Sequence, residues 1–182
     1  MGEEGVSAGA GRPLEAAGAD FAERRDAANR RIATIEDGIP DRAGWFHAVY
    51  DAAADDAAAI PWADLAAKPE LVEWLRRNPG EGRAAIDVAC GLGDNAEAIA
   101  AAGYRTTGFD IVEKAIGWAR ARFPTGGVAY VVADLFDPPD AWLGAFDLAF
   151  ECFTIQAMKD GPRDAAFPAV ARFVRPGGIL LL

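Results

Sequence analysis

Cysteine and histidine are scarce in this chain: Cys90, Cys152 and His47 are the whole supply in 182 residues. Neither cysteine stands in a Cys-x-x-Cys pair, which argues against a disulfide framework and against a zinc or iron–sulfur cluster. No metal site is expected. Both cysteines read as small apolar residues at strand ends, and His47, inside an amphipathic stretch, reads as structural. Basic residues are also in deficit. The 18 Lys and Arg against 28 Asp and Glu leave a formal charge of −10, with no basic block to offset it. That field disfavours nucleic acid and anionic membrane as partners and suits a small neutral or cationic ligand. Long apolar runs are missing too, so no membrane-spanning segment is expected. Residues 1–10 are acidic and glycine-rich, unlike a secretory signal. Gly2 is followed by Val6 where a myristoylation pattern needs Ser or Thr. These features point to a cytoplasmic protein, and they leave the oligomeric state open.

What is present is enough for one folded domain, since 52% of the residues are hydrophobic. Residues 1–20 hold too few bulky apolar side chains to offset ordering entropy, and are expected to be disordered. Residues 21–80 read as a helical N-terminal extension, or lid. Within it, 21–35 reads as a solvated, loosely docked helix stopped by Asp37-Gly38-Ile39-Pro40, with Arg24, Arg25, Arg30 and Arg31 on a solvent face. Trp45, Phe46, Val49 and Tyr50 recur at helical spacing over 45–58, and Ile60-Pro61-Trp62 breaks that pattern. Pro69 opens a further helix that ends at Pro79-Gly80. Residues 81–182 form the core. Strands are expected at 84–90, 104–110, 128–133, 146–152 and 178–182, and helices at 94–102, 112–122, 139–143 and 162–174. Strands alternating with helices imply right-handed crossovers and a parallel α/β sheet.

The chemistry gathers where these strands end. Asp87 lies in an apolar strand that runs into the Gly91-Leu92-Gly93 turn, and a helix follows. Such a turn lets backbone approach a nucleotide-like ligand. Asp110 closes the second strand and Asp134 follows the third. Acids at successive strand ends, beside a glycine turn, mark the ligand-binding rim of an open sheet. Asp110 also suits a helix N-cap, and Asp134 a simple turn.

The spacing Asp87-x-x-x-Gly91-x-Gly93 with Asp110 and Asp134 resembles the class I S-adenosylmethionine-dependent methyltransferases. The segments Trp45-Phe46, Ile60-Pro61-Trp62, Cys90-Gly91-Leu92-Gly93-Asp94 and 151–157 resemble, within that class, the bacterial thiopurine S-methyltransferase-like small-molecule branch. The resemblance implies a Rossmann-like sheet of order 3-2-1-4-5, with S-adenosylmethionine as cofactor. It implies cofactor contacts at Asp87, Cys90, Gly91, Leu92 and Gly93, at Asp110 and Ile111, which take the ribose, and at Asp134 and Leu135, which take the adenine. Glu151, at the rim end of the fourth strand, reads equally as a cofactor-site wall and as a solvated strand-end acid. Trp62 is the candidate aromatic lid and Gln156 a substrate-side residue. The family fold has two more strands, so the chain reads as incomplete after its fifth.

No catalytic base stands out. Methyl transfer from a sulfonium needs alignment and exclusion of water more than a strong base, which is compatible with a thiol or other soft acceptor. Gly91-x-Gly93-x-x-Ala96 with Asp110 also fits a dinucleotide-binding turn, so an NAD(P)-dependent oxidoreductase is the competing reading. Asp87 and Asp134, which a dinucleotide site does not need, favour methyl transfer. A non-catalytic cofactor-binding fragment is the third reading.

Overall fold

The computed structural model describes residues 19–36, 42–158 and 162–182. The expected disorder of 1–18 and the helix stop at 37–40 lie outside the described residues. Three helices come first: α1 (Ala19–Glu36), α2 (Arg42–Ala52) and α3 (Pro69–Arg77), with a 3-10 turn, Ala57–Ala59, between α2 and α3. The core then alternates β1 (Ala84–Val88), α4 (Asp94–Ala101), β2 (Arg105–Asp110), α5 (Glu113–Arg122), β3 (Ala129–Val132), β4 (Phe146–Glu151), α6 (Thr154–Ala157), α7 (Pro162–Ala171) and β5 (Val174–Leu181). Among the described residues, no helix is long and apolar enough to cross a membrane.

All five strands pair in parallel in the order β3-β2-β1-β4-β5, as expected. β1 lies at the centre and is buried on both faces. Ile86 and Val88 pack with Ala166 and Val170 of α7 and with Phe173 just beyond it. Ala85 packs on the other face with Leu71 and Leu75 of α3 and Ile99 of α4. The rim ends of β1, β2 and β4 therefore come together at one edge of the sheet, where the order reverses between β1 and its two neighbours.

Two elements differ from the sequence reading. α1 is docked, not loosely solvated: Ala28 is buried, and Arg24 Nη1 lies 2.7 Å from Asp56 Oδ1, the side chain that caps the 3-10 turn. The docking runs through a small residue and arginine heads, which a search for bulky apolar spacing overlooks. β5 begins at Val174, and α7 stops at Ala171. The sequence reading has the helix running to 174 and the strand starting at 178; among the described residues β5 pairs only with β4, and an edge strand tolerates Pro176 and the register shift seen between Phe146 and Leu148.

Candidate functional site

Beyond β1 the chain turns sharply. Gly91 has φ 53° and Gly93 φ 90°, and α4 starts at once with Asp94. Arg122 of α5 pins the turn, donating to the Leu92 carbonyl at 2.6 Å and to both oxygens of Asp94 at 2.7 Å. The two glycines serve different ends. A methyl group on Gly93 would meet the Tyr130 hydroxyl at 2.3 Å, so this glycine lets the turn pack against the core. A methyl on Gly91 would point toward Tyr50, 3.3 Å from its hydroxyl, and toward Trp62 Nε1 at 4.0 Å. Gly91 is thus the residue that faces the overlying lid.

Asp110, at the end of β2, reaches under the turn. Its Oδ2 accepts the Gly91 N–H at 3.1 Å and its Oδ1 accepts the Val112 N–H at 2.9 Å, so it fixes the turn into α5 and holds the glycine turn at once. Burial pushes its pKa up to about 6, against the opposing pull of those N–H groups and of His47. Asp87 departs from the expectation of a partly exposed acid: only 2% of it is accessible. Its Oδ2 has no hydrogen-bond partner, and burial, reinforced by Asp110 and Glu151, raises its pKa well above the carboxylate range. A central strand covered on both faces leaves no route to solvent for its side chain.

The lid lies over this rim. Trp62 Nε1 donates to the Tyr50 hydroxyl at 3.3 Å, and the Trp62 ring packs on Trp45, Phe46 and Tyr50 with centroids 5.6–5.9 Å away. A cleft opens beside it, with Ala89 to Leu92 as floor and Asp94 and Asn95 as one wall. Cys152 and Phe153 form the opposite wall, and the segment from Trp62 to Lys68 the roof. Asn95 Oδ1 accepts the Lys68 N–H at 2.9 Å, tying roof to wall. Lys68 Nζ pairs with Asp64 and sits 4.3 Å from the Phe153 ring centre. Phe153 holds a left-handed conformation, φ 72°, directly after β4. A non-glycine residue in that region carries strain that tends to persist at binding sites.

Cys90, Gly91, Leu92 and Trp62 therefore meet at the cleft, with Asp110 beneath the turn. Ile111 packs with the aromatic cluster around Tyr50. Other expected residues are occupied elsewhere. Glu151 Oε1 accepts the N–H groups of Thr154 and Ile155 at 2.6 and 3.1 Å, capping α6. Gln156 is exposed on α6 and does not line the cleft. Leu135 is buried in the core against α7, and Asp134 caps its own turn through the Phe136 N–H at 2.8 Å. Tyr50, Lys68, Asn95, Cys152 and Phe153 were not foreseen as site residues. Asn95, two positions after Gly93, was the one with a visible signal.

Comparison with known proteins decides the class of this site. The model of the methyltransferase domain family matches residues 85–178, which take in the turn, Asp110, the whole of β2, β3 and β4, and parts of β1 and β5. The chain belongs to the methyltransferase domain family. A ubiquinone biosynthesis O-methyltransferase of Aromatoleum aromaticum is 35% identical over 60% of this chain and 47% of its own length. The chain thus spans about half the length of the curated relatives it matches. A structure solved for the conversion of a disulfide bond into a thioacetal group during echinomycin biosynthesis superposes with a TM-score of 0.66. It is 29% identical and covers 78% of this chain and 59% of that one. A phosphoethanolamine-type N-methyltransferase of Haemonchus contortus, solved with S-adenosylhomocysteine, gives a TM-score of 0.52 at 25% identity, over 62% and 27% of the two chains. The cofactor of this methyltransferase domain is S-adenosylmethionine. Two observations show that the site fits it. The Gly91 turn leaves room for close backbone approach. The unpartnered Asp87 carboxyl oxygen beneath it suits a ligand bearing both an amine and a sulfonium charge.

Proposed function

We propose that this methyltransferase domain transfers a methyl group from S-adenosylmethionine to a small-molecule acceptor through a hydroxyl or thiol. The observation that carries the reading is Asp110 held under the Gly91 turn, a turn that lines a cleft together with Trp62, Cys152 and Phe153. When bound, S-adenosylmethionine supplies a methyl carbon on a cationic sulfur, an electrophile that needs no further activation. The chain's part is then to bind, orient and exclude water. Asp110 retains lone pairs for the two ribose hydroxyls. Asp134, on the turn after β3, is the residue this reading assigns to the adenine side. Asp87, which burial holds toward its neutral form in the free protein, would be drawn toward ionisation by a cationic ligand above the turn. Tyr50 and Trp62 shield the rim.

Lys68 is the one cation among the residues lining the cleft. Its charge would stabilise an acceptor that reacts as an oxyanion or thiolate, which removes the need for a strong base. Trp62 and Phe153 offer flat apolar surface, which favours a planar acceptor, and a thiol-bearing heterocycle of the thiopurine type is the narrowest form of this reading. The two free cysteines suit a reducing compartment, and cytoplasmic activity is part of the proposal. The test is calorimetric titration with S-adenosylhomocysteine, followed by methyl transfer to a panel of phenols, thiols and amines. Turnover confined to amines would overturn the acceptor class.

A further inference from the structure

Arg25 lies on α1, remote from the sheet rim, yet its guanidinium is directed at the roof of the cleft. Nε donates to the Ala58 carbonyl at 2.9 Å, Nη1 to the Pro61 carbonyl at 2.6 Å, and Nη2 to the Ala63 carbonyl. One planar fork therefore grips three carbonyls within residues 58–63, something a lysine's single ammonium cannot reproduce. The other hydrogen bonds of the stretch are local: the Ala58 and Ala59 N–H groups go to Asp56, Ile60 N–H to Ala57 and Ala63 N–H to Ile60, and Pro61 has no N–H to give. Burial lowers the Arg25 pKa against the pull of Asp64 and Asp56, so the guanidinium gives up hydration to hold this position. Arg24, its neighbour, pairs instead with Asp56 at the start of the 3-10 turn. The gripped stretch ends in Trp62 and Ala63, which line the cleft, and Trp62 is the ring that reaches Tyr50 above Gly91.

We propose that Arg25 is the positioning residue of the cleft roof: by holding the carbonyls of Ala58, Pro61 and Ala63 it sets Trp62 and Ala63 over the glycine turn in the arrangement that binds the cofactor. This rests on reading the cleft as the S-adenosylmethionine site. α1 then belongs to the working site although none of its side chains lines the cleft. Lysine at this position meets one carbonyl at a time and restores only part of the clamp.

The test compares the full 182-residue chain with Arg25→Ala and Arg25→Lys. Hydrogen exchange is followed across 57–66, and S-adenosylhomocysteine affinity is measured with and without millimolar guanidinium ion. Arg25→Ala should speed exchange in 57–66 while leaving β1 and β4 protected, and should weaken S-adenosylhomocysteine by about tenfold. Guanidinium should recover part of that loss, and Arg25→Lys should fall between parent and alanine variant. Unchanged exchange overturns the clamp. Faster exchange with unchanged affinity overturns its positioning role, as does a loss that neither guanidinium nor lysine recovers. If the alanine variant does not fold, Arg25→Lys is judged by the same two readouts. If the parent itself fails to bind S-adenosylhomocysteine, the functional reading fails on that result, and the exchange data alone decide the clamp.

Discussion

Asp110 Oδ2 accepts the backbone N–H of Gly91 at 3.1 Å, which ties the end of β2 to the turn that follows β1. One carboxylate thereby shapes the glycine turn and the chain's entry into α5. Asp110→Asn keeps one acceptor oxygen, enough for one of the two N–H groups, and loses both the charge and the second acceptor. The variant should bind S-adenosylhomocysteine about ten- to a hundredfold more weakly, equivalent to about 1.5–3 kcal/mol for hydrogen bonds to a charged acceptor. Calorimetry of parent and variant checks this, and equal affinities would remove Asp110 from the cofactor site.

The same residue predicts a pH profile. Its pKa of about 6 in the folded chain lies above the ordinary carboxylate value, so the free protein gains stability from it at low pH and loses that gain as pH rises through 6. Ligand hydroxyls donate to the ionised form, so affinity should run the other way. It should rise with pH up to about 6 and flatten above, with His47 favouring and Asp87 opposing that ionisation. In Asp110→Asn the dependence around pH 6 should vanish. Titrations from pH 5 to 8 test this, and a slope retained in the variant would assign it to another group.

Asp87 offers a trade of stability against binding. Its raised pKa means that folding pays an increasing electrostatic cost as pH climbs through that value. Asp87→Asn removes the charge at nearly constant volume. The variant should melt about 2–8 °C above the parent at pH 8, with a smaller gap at pH 5, while binding amine-bearing ligands less tightly. Thermal melts at both pH values decide it, and a lower melting temperature at pH 8 would show that the buried charge is compensated in the free protein.

Much of this site was legible locally, because a glycine turn and strand-end acids declare themselves within a few neighbouring residues. The parallel sheet followed from alternation and handedness, and the strand order from the family resemblance. The rest depends on contacts across distance. Nothing around Phe153 announces its left-handed backbone, and nothing in α1 shows that Arg25 meets carbonyls more than thirty positions away. Tyr50 registered as one apolar position of an amphipathic helix, because its hydroxyl matters only once Trp62 and Gly91 are beside it. Glu151 was placed at the correct rim, but whether such an acid faces a ligand or caps a short helix depends on side-chain direction, which strand periodicity does not give.

The glycines separate folding from binding. Gly93→Ala forces a Cβ against the Tyr130 hydroxyl at 2.3 Å from a backbone with φ 90°, and should cost about 2–4 kcal/mol of stability. Gly91→Ala meets its nearest neighbour at 3.3 Å, in a left-handed conformation that Ala89 already adopts at φ 52°. It should cost about 1–2 kcal/mol while weakening the cofactor more than the fold. Paired denaturation and binding curves test the contrast, which fails if Gly91→Ala binds S-adenosylhomocysteine like the parent.

The most direct measurement titrates the intact chain, at pH 7.5, with S-adenosylhomocysteine and with NAD under identical conditions. The glycine turn is compatible with either ligand, and the proposed roles of the rim acids are what favour S-adenosylmethionine. Saturable binding of S-adenosylhomocysteine, lost in Asp110→Asn and absent for NAD, is the predicted result. Binding of NAD with no response to S-adenosylhomocysteine would contradict the account.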